Sequence, residues 1–128
     1  MAETEKITIN LGAVDLGKVD LLVEHGHYSN RTDFIKTAIR AQLDKHNLEF
    51  QQSITRDAFV VGVFVCTKDT LEAHLAKGEK LKIRVMGMLH IHSDVPANLA
   101  EQVIESVKIY GIFNATDEVK SVLADRMN

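Results

Sequence analysis

The chain of 128 residues has no tryptophan, one cysteine and one proline, and its aromatic residues make up only 5% of it. The single cysteine, Cys66, excludes an intrachain disulfide and is typical of a protein kept in a reducing compartment. No run of about eighteen apolar residues occurs, and the first residues, MAETEKIT, are charged and polar where a signal peptide would be apolar. We therefore expect a cytoplasmic protein that does not contact a membrane.

The composition also limits the function. Hydrophobic residues make up 45% of the chain, which is enough for one domain or two small ones with a buried core. The net charge of −3 gives no general attraction to nucleic acid, because non-specific binding depends on Lys and Arg neutralising phosphates. No Gly-rich phosphate loop, nucleophile elbow or pair of catalytic carboxylates occurs. We predict a protein that is not an enzyme and needs no cofactor.

The segment EKITINL at residues 5–11 alternates between apolar and polar residues, as a half-buried strand does. Ile7, Ile9 and Leu11 fall on one face, and Lys6, Thr8 and Asn10 fall on the other. No second strand is predicted before residue 58, and a lone strand leaves its backbone groups unpaired. We therefore predict that it pairs antiparallel with the same strand of a second copy, which makes the protein a homodimer.

Two helices are predicted after this strand. The first covers residues 13–25, where apolar residues recur at helical spacing before Gly26. The second covers residues 31–46, and Asn30 is placed to cap it, with Asp33 in its first turn. The polar residues 47–57 are interpreted as a linker that can prolong the second helix by a turn or two. These elements define a predicted N-terminal domain of residues 1–46.

The order strand, helix, helix over residues 5–46 resembles the ribbon-helix-helix transcriptional regulators, the CopG-like or MetJ/Arc class. The resemblance rests on KITINL and on SNRTDFIKTAI at the opening of the second helix. The first helix departs from the family, because LGAVDLGKVD replaces Leu-Pro followed by acidic residues. The resemblance implies an α+β fold, an intertwined dimer with its two-stranded ribbon in the major groove of double-stranded DNA, and sequence-specific repression of transcription.

In such a ribbon the outward residues Lys6, Thr8 and Asn10 are implied to read base edges. Lys can donate to guanine, and Asn can bind adenine with two hydrogen bonds. Long polar side chains on the exposed face of a ribbon suit this task without reference to any family. Their alternative role is only to keep an exposed sheet face in contact with water.

Phosphate contacts are predicted at the start of the second helix, from Asn30, Arg31, Thr32 and Lys36. The backbone N–H groups of the first helical turn have no partner within the helix, and the positive end of the helix dipole attracts anions. Asn30 can act as a helix cap, as a phosphate ligand, or as both.

The second half of the chain contains three similar segments. They are FVVGVFVCTKDTLEAHL, IRVMGMLHIHSDVPANLAEQVI and VKIYGIFNATDEVKSVL, aligned on Gly62, Gly87 and Gly111. Each predicts a strand followed by a short helix, so residues 58–128 are predicted to form three β-α repeats. Parallel strands with the helices on one side give either a leucine-rich-like solenoid or a three-stranded parallel α/β layer. If the similarity of the three segments arose by chance, the expected architecture is almost the same. This unit is expected to assemble dimers into a tetramer or larger oligomer, or to bind an unknown protein or small-molecule effector.

Four residues are candidates for a metal site, namely His90, His92, His74 and Cys66. His90 and His92 lie two apart on a predicted strand, hence on one face, and the nickel-responsive branch of the resembled family carries a similar HxH pair with another His and a Cys. That branch has a βαββαβ regulatory domain with its Cys after the pair, whereas here the order is β-α three times and Cys66 precedes the pair. We therefore predict no bound metal.

Three other functions remain open from the sequence. The protein could be the antitoxin of a toxin-antitoxin pair, although such antitoxins commonly end in a segment that folds only on the toxin. It could be a metal-responsive repressor that uses His90 and His92. It could also be a structural assembly protein whose ribbon only joins two copies.

Overall fold

The computed structural model describes residues 4–127, which form an α+β chain with two compact units. One unit is Lys6–Gln52, and the other is formed mainly by the chain from Ser53 onward. The elements are α1 (Ala13–Glu24), α2 (Arg31–Asp44), α3 (Asn47–Asp57), β1 (Val60–Cys66), α4 (Lys68–Ala76), β2 (Leu81–Ile91), α5 (Ala97–Val103), β3 (Ile104–Asn114), α6 (Asp117–Leu123) and a short 3-10 helix (Ala124–Arg126). Within residues 4–127, no helix has the length and apolar character that a membrane crossing requires.

Both helices predicted for the first unit are present as α1 and α2, and their ends lie within two residues of the predicted ones. The residues 47–57, predicted as a linker that could prolong the second helix, form the separate helix α3. Only Lys45 and His46 lie between α2 and α3. A polar sequence can still form a helix when, as here, no Gly or Pro interrupts it.

The predicted ribbon strand makes no strand pairing within the single chain. Residues 4–12 have no regular secondary structure. The apolar residues of the alternating segment are exposed, with Ile7 at 80%, Ile9 at 55% and Leu11 at 43%. The segment therefore finds neither a strand partner nor an apolar covering within its own chain.

The first unit has little core of its own. Within Lys6–Gln52, Val19 is the one buried side chain, at 5% exposure. Tyr28 and Phe34 add an edge-to-face aromatic contact with their ring centroids 5.0 Å apart. Other apolar side chains of α1 and α2, such as Leu16 and Leu22, are only partly buried, and several are about half exposed, as Leu21 and Ile39 show at 51% and 52%. A unit of this size normally needs more apolar burial than this to stay folded.

The second unit is a three-stranded parallel sheet in the order β1-β2-β3, with one helix following each strand. The three helices pack side by side on one face of the sheet, where they form the main core with the strands. The fully buried residues of this core include Cys66, Leu71, Val85, Leu89, Ala100, Ile104, Val107 and Leu123. Parallel strands need such crossover helices, and β-α units of this length supply them.

Three glycines cross the sheet in one row, because Gly62 pairs with Gly87 and Gly87 pairs with Gly111. All three have a positive φ, at 123°, 141° and 126°. A Cβ at Gly87 would lie under 3.0 Å from the backbone of Gly62, and one at Gly111 would come as close to the carbonyl oxygen of Gly87. At Gly87 and Gly111 neighbouring strands therefore approach too closely for a side chain, whereas a Cβ at Gly62 would meet nothing within 4 Å.

Candidate nucleic-acid interface

The predicted base-reading residues lie in the irregular segment before α1. Lys6, Thr8 and Asn10 are all exposed, and they alternate along the chain with Ile7 and Ile9. The single chain thus leaves these polar side chains accessible to a ligand. Their spacing puts all three on one side of any strand that the segment forms with a partner.

The start of α2 has a well-defined cap. The Asn30 side-chain oxygen accepts a hydrogen bond from the backbone N–H of Asp33 at 2.7 Å. The Asp33 carboxylate in turn accepts one from the backbone N–H of Ser29 at 2.9 Å. This reciprocal pair fixes the first turn of the helix in the manner of a capping box. The N–H groups of Arg31 and Thr32 have no intrahelical partner, by the geometry of a helix start.

The side chain of Arg31 is held by Asp20 of α1 through two hydrogen bonds. Arg31 Nε and Nη2 donate to the two carboxylate oxygens of Asp20 at 2.8 and 2.9 Å. Mainly through this hydrogen bonding, the pKa of Asp20 is lowered and the pKa of Arg31 is raised. The side chains stay 57% and 48% exposed, so the attraction is screened by water. A phosphate would have to share Arg31 with Asp20 or replace it.

Asp20 is a neighbour of the predicted phosphate ligands that the sequence did not reveal. It lies eleven residues before Arg31, a separation that no helical or strand spacing brings together. The contact arises because α1 and α2 pack as a helical hairpin, in which the middle of α1 can meet the start of α2. The sequence indicated only that the preceding helix contains acidic residues, and it did not distinguish Asp20 from the others in that helix.

The remaining predicted phosphate ligands, Thr32 and Lys36, are exposed. They lie four residues apart on α2, which puts them on one face of the helix. Lys36 therefore extends a polar strip that begins at the capped first turn. Together with Asn30 and Arg31, these residues form a small, partly basic surface at the start of α2.

The four candidate metal ligands are not brought together. Cys66 lies on the core face of the sheet with 0% exposure, whereas His90 lies on the opposite face, since its register partner is Val65. Burial raises the pKa of the Cys66 thiol to about 11. His74, on α4, has its Nδ1 2.9 Å from the carbonyl oxygen of Thr70. In the part of the chain that the structure describes, no three His, Cys, Asp or Glu side chains are placed to hold a metal.

The HxH pair borders an open cavity at the carboxyl ends of β2 and β3. The rings of His90 and His92 are 6.1 Å apart, and His92 Nδ1 lies 3.0 Å from a carboxylate oxygen of Asp94. The cavity has a volume of about 200 Å³, and Asn114 and Thr116 complete its polar lining. The Nδ1 atom of His90 is buried without a hydrogen-bond partner. These groups are polar, but they do not form a complete set of metal ligands.

Two comparisons with known proteins gave no match, and one gave a match along most of the chain. Residues 2–120 match the model of the ribbon-helix-helix transcriptional regulator family. No curated protein and no solved structure matches the chain. The family match spans both compact units and includes the segment before α1.

Proposed function

Because this chain belongs to the ribbon-helix-helix transcriptional regulator family, we propose that it represses transcription as a homodimer that reads DNA with a two-stranded ribbon. Residues 5–11 of two copies pair antiparallel across a two-fold axis. The ribbon enters the major groove, which is wide enough to admit two strands. The unit from Ser53 onward then lies outside the DNA-reading module.

The lack of a core in Lys6–Gln52 is the observation that carries the proposal. Each half-exposed Ile or Leu contributes about 1 kcal/mol when a partner covers it. The unit exposes seven such side chains at 43% or more, namely Ile7, Ile9, Leu11, Leu21, Ile39, Leu43 and Leu48. Covering them in two copies stabilises the pair by several kcal/mol per copy. That is comparable to the whole stability of a small domain, so the folded module is expected to be the dimer.

Pairing the strands also places the base-reading residues. When Ile7 and Ile9 face the shared core, the alternation turns Lys6, Thr8 and Asn10 to the other side of the ribbon. Two copies present six polar side chains to the groove. Lys6 donates to guanine and Asn10 binds adenine in the geometry these side chains favour.

The start of α2 positions the dimer on the phosphates. The N–H groups of Arg31 and Thr32 and the positive helix end bind one phosphate in each half of the dimer, and Lys36 adds a charge. Arg31 exchanges Asp20 for the phosphate at little cost, because an exposed ion pair in water is weak. With few cations per module, single dimers bind DNA modestly, and adjacent dimers bind together.

The test is DNA binding by the full chain at the region upstream of its own gene. Changing Lys6, Thr8 and Asn10 to Ala is expected to weaken specific binding at least about tenfold, since one good base contact contributes about 1–3 kcal/mol. Footprinting of the unaltered chain should show short repeated sites that are protected together. The control is Lys18→Ala, which removes an exposed cation from α1.

Light scattering must show the same mass for the triple variant and the unaltered chain, so that lost binding reports lost contacts and not lost dimers. Equal affinity of the triple variant and the unaltered chain would refute base reading by the ribbon. Absence of any binding by the unaltered chain would refute the proposal as a whole.

The antitoxin alternative gains no support from the fold. Antitoxins of this family commonly end in a segment that folds only on the toxin. Here the chain from Ser53 onward has its own core, in which Leu71, Leu89 and Leu123 are fully buried. Copurification of a small protein with the full chain would favour the antitoxin role over the repressor.

A further inference from the structure

The two faces of the parallel sheet differ in how they are covered. One face is covered by α4, α5 and α6 and forms the core. The other, which we call the open face, receives the alternate side chains of each strand. Its apolar members include Val61, Val63, Val65, Met88, Tyr110 and Ile112.

The open face is apolar, and although Met88 near its centre is buried at 2% exposure, its side chains on β1 and Tyr110 are uncovered. Val61 is 61% exposed, Val63 42%, Val65 48% and Tyr110 53%. Parallel sheets are normally covered on both faces, and their strands are then apolar on both sides. β1 has such a sequence, VVGVFVC, yet within the chain only Phe64 and Cys66 at the carboxyl end of its core side are covered. The pattern therefore indicates a second layer that the single chain does not supply.

We propose that the open face packs against the open face of a second copy, with the strands of the two sheets antiparallel. This contact is a second interface between copies, in addition to the ribbon. The inference rests on the proposed function in one respect only, because the paired ribbon supplies the second copy at high local concentration.

The charges around the open face favour a second copy in this orientation. Arg84 and Lys108 are register partners near the amino end of the sheet, on the open face. The acidic residues Asp94, Asp117 and Glu118 follow the carboxyl ends of β2 and β3. Antiparallel stacking brings the basic end of each copy to the acidic end of the other, twice by symmetry. Parallel stacking would bring four cations together, which is unfavourable.

The size of the face also favours a copy that is already tethered. Three strands about 4.8 Å apart and about seven residues long cover roughly 300 Å² per copy. The total of about 600 Å² is below the roughly 1,200 Å² that stable interfaces between free proteins bury. A partner that the ribbon already holds is present at an effective concentration on the order of millimolar. A contact of this size therefore suits a second copy better than a protein that arrives from solution.

Antiparallel stacking makes each residue of one row face its own copy. The two-fold axis crosses the middle row of the face, in which Val63, Met88 and Ile112 are register partners. Each strand then lies over the same strand of the other copy, so Val63 of one copy lies against Val63 of the other. Parallel stacking would place Val63 against Ile112 instead.

The experiment is cross-linking of the full chain carrying Val63→Cys with a short bismaleimide. Most of the protein is expected to run as a covalent dimer on a denaturing gel. Leu75→Cys is the matched control, because Leu75 is 46% exposed against 42% for Val63 and lies on α4, on the helical side of the unit. The native Cys66 is fully buried, so the unaltered chain gives the background.

A Val63→Cys chain that cross-links no more than Leu75→Cys would overturn the proposal, and another molecule would then cover the face. Adding Arg84→Glu and Lys108→Glu to the Val63→Cys chain is expected to lower the yield several-fold. An unchanged yield would overturn the antiparallel orientation. DNA binding by the uncross-linked chain reports the ribbon separately, so each proposal can fail without the other.

Discussion

Replacing Gly87 by alanine is expected to disrupt the C-terminal unit far more than the same change at Gly62. The two glycines are register partners on neighbouring strands, and both have a positive φ, 141° and 123°. A Cβ at Gly62 meets nothing within 4 Å, whereas one at Gly87 would lie under 3.0 Å from the backbone of Gly62. Gly62→Ala therefore reports backbone strain alone, and Gly87→Ala reports strain together with a collision between two strands.

The two costs differ in size. A residue other than glycine in a sparsely populated backbone region costs about 1–3 kcal/mol, so Gly62→Ala should lower the free energy of unfolding by that amount. The collision at Gly87 involves backbone on both sides and cannot be relieved by a side-chain rotation. The strands β1 and β2 must move apart, which weakens their hydrogen bonds. We expect a total above about 4 kcal/mol, a loss that few single substitutions cause.

Thermal unfolding of the full chain, followed by far-ultraviolet circular dichroism, measures the difference. For a unit of this size, about 4 kcal/mol lowers Tm by roughly 15–30 °C, and strain of about 1–3 kcal/mol alone lowers it by roughly 4–24 °C. Urea unfolding of both variants provides the same comparison at constant temperature. Equal losses for Gly62→Ala and Gly87→Ala would refute the close approach of the strands at the glycine row.

Three further predictions concern side chains with defined partners. Asn30→Ala should cost about 1 kcal/mol in urea unfolding, because it removes the cap of α2, and an unchanged midpoint would contradict the cap. Arg31→Ala removes the cation that Asp20 holds in the free protein and should make the salt dependence of DNA binding shallower in gel shifts, whereas an identical slope would show that Arg31 contacts no phosphate. The Cys66 thiol, with its pKa raised to about 11 from an ordinary 9.0, should resist Ellman's reagent at pH 8 until the chain unfolds. The folded form keeps the thiol proton that the unfolded form loses above pH 9.0. The free energy of unfolding should therefore fall by up to about 1.4 kcal/mol per pH unit between pH 9.0 and about 11. The Cys66→Ala variant should lack this part of the fall.

Periodicity and caps predicted the helices well where local chemistry alone decides the structure. Asn30 with Asp33 three residues later marks the start of α2, and the structure contains the expected cap, in which the Asn30 side chain accepts from the backbone N–H of Asp33. The three segments aligned on glycine predicted strand-helix units with parallel strands. The sheet is parallel, and a helix connects each strand to the next. The helix α3 was less visible, because its residues are mostly polar and no cap residue separates it clearly from α2.

The contact between Arg31 and Asp20 could not be read from the sequence, for a physical reason. It joins two helices, and its geometry depends on the turn between them and on how α1 packs against α2. The same holds for the distribution of the metal candidates. Cys66 of β1 and His90 of β2 lie on opposite faces of the sheet, but alternation predicts this only when the register of the two strands is known.

The sequence contains more apolar surface than one chain can cover, and both excesses follow the period of a strand. At the N-terminus Ile7 and Ile9 alternate with polar residues, so the strand proposed there would need a partner and a core on one side only. In β1 Val61, Val63 and Val65 alternate with the residues of an existing core, so that strand needs a layer on its second side. The two needs are different in geometry, since the first is met by pairing strands edge to edge and the second by stacking sheets face to face. If the same two copies make both the ribbon pairing and the sheet stacking, a single two-fold axis relates them. If different copies make the two contacts, there are two axes and the assembly is larger than a dimer. The mass of the folded assembly after cross-linking at Val63 in dilute protein distinguishes the two cases. If the cross-link joins the two copies of one ribbon pair, the assembly keeps the mass of a dimer. If it joins copies from different pairs, the assembly has twice that mass.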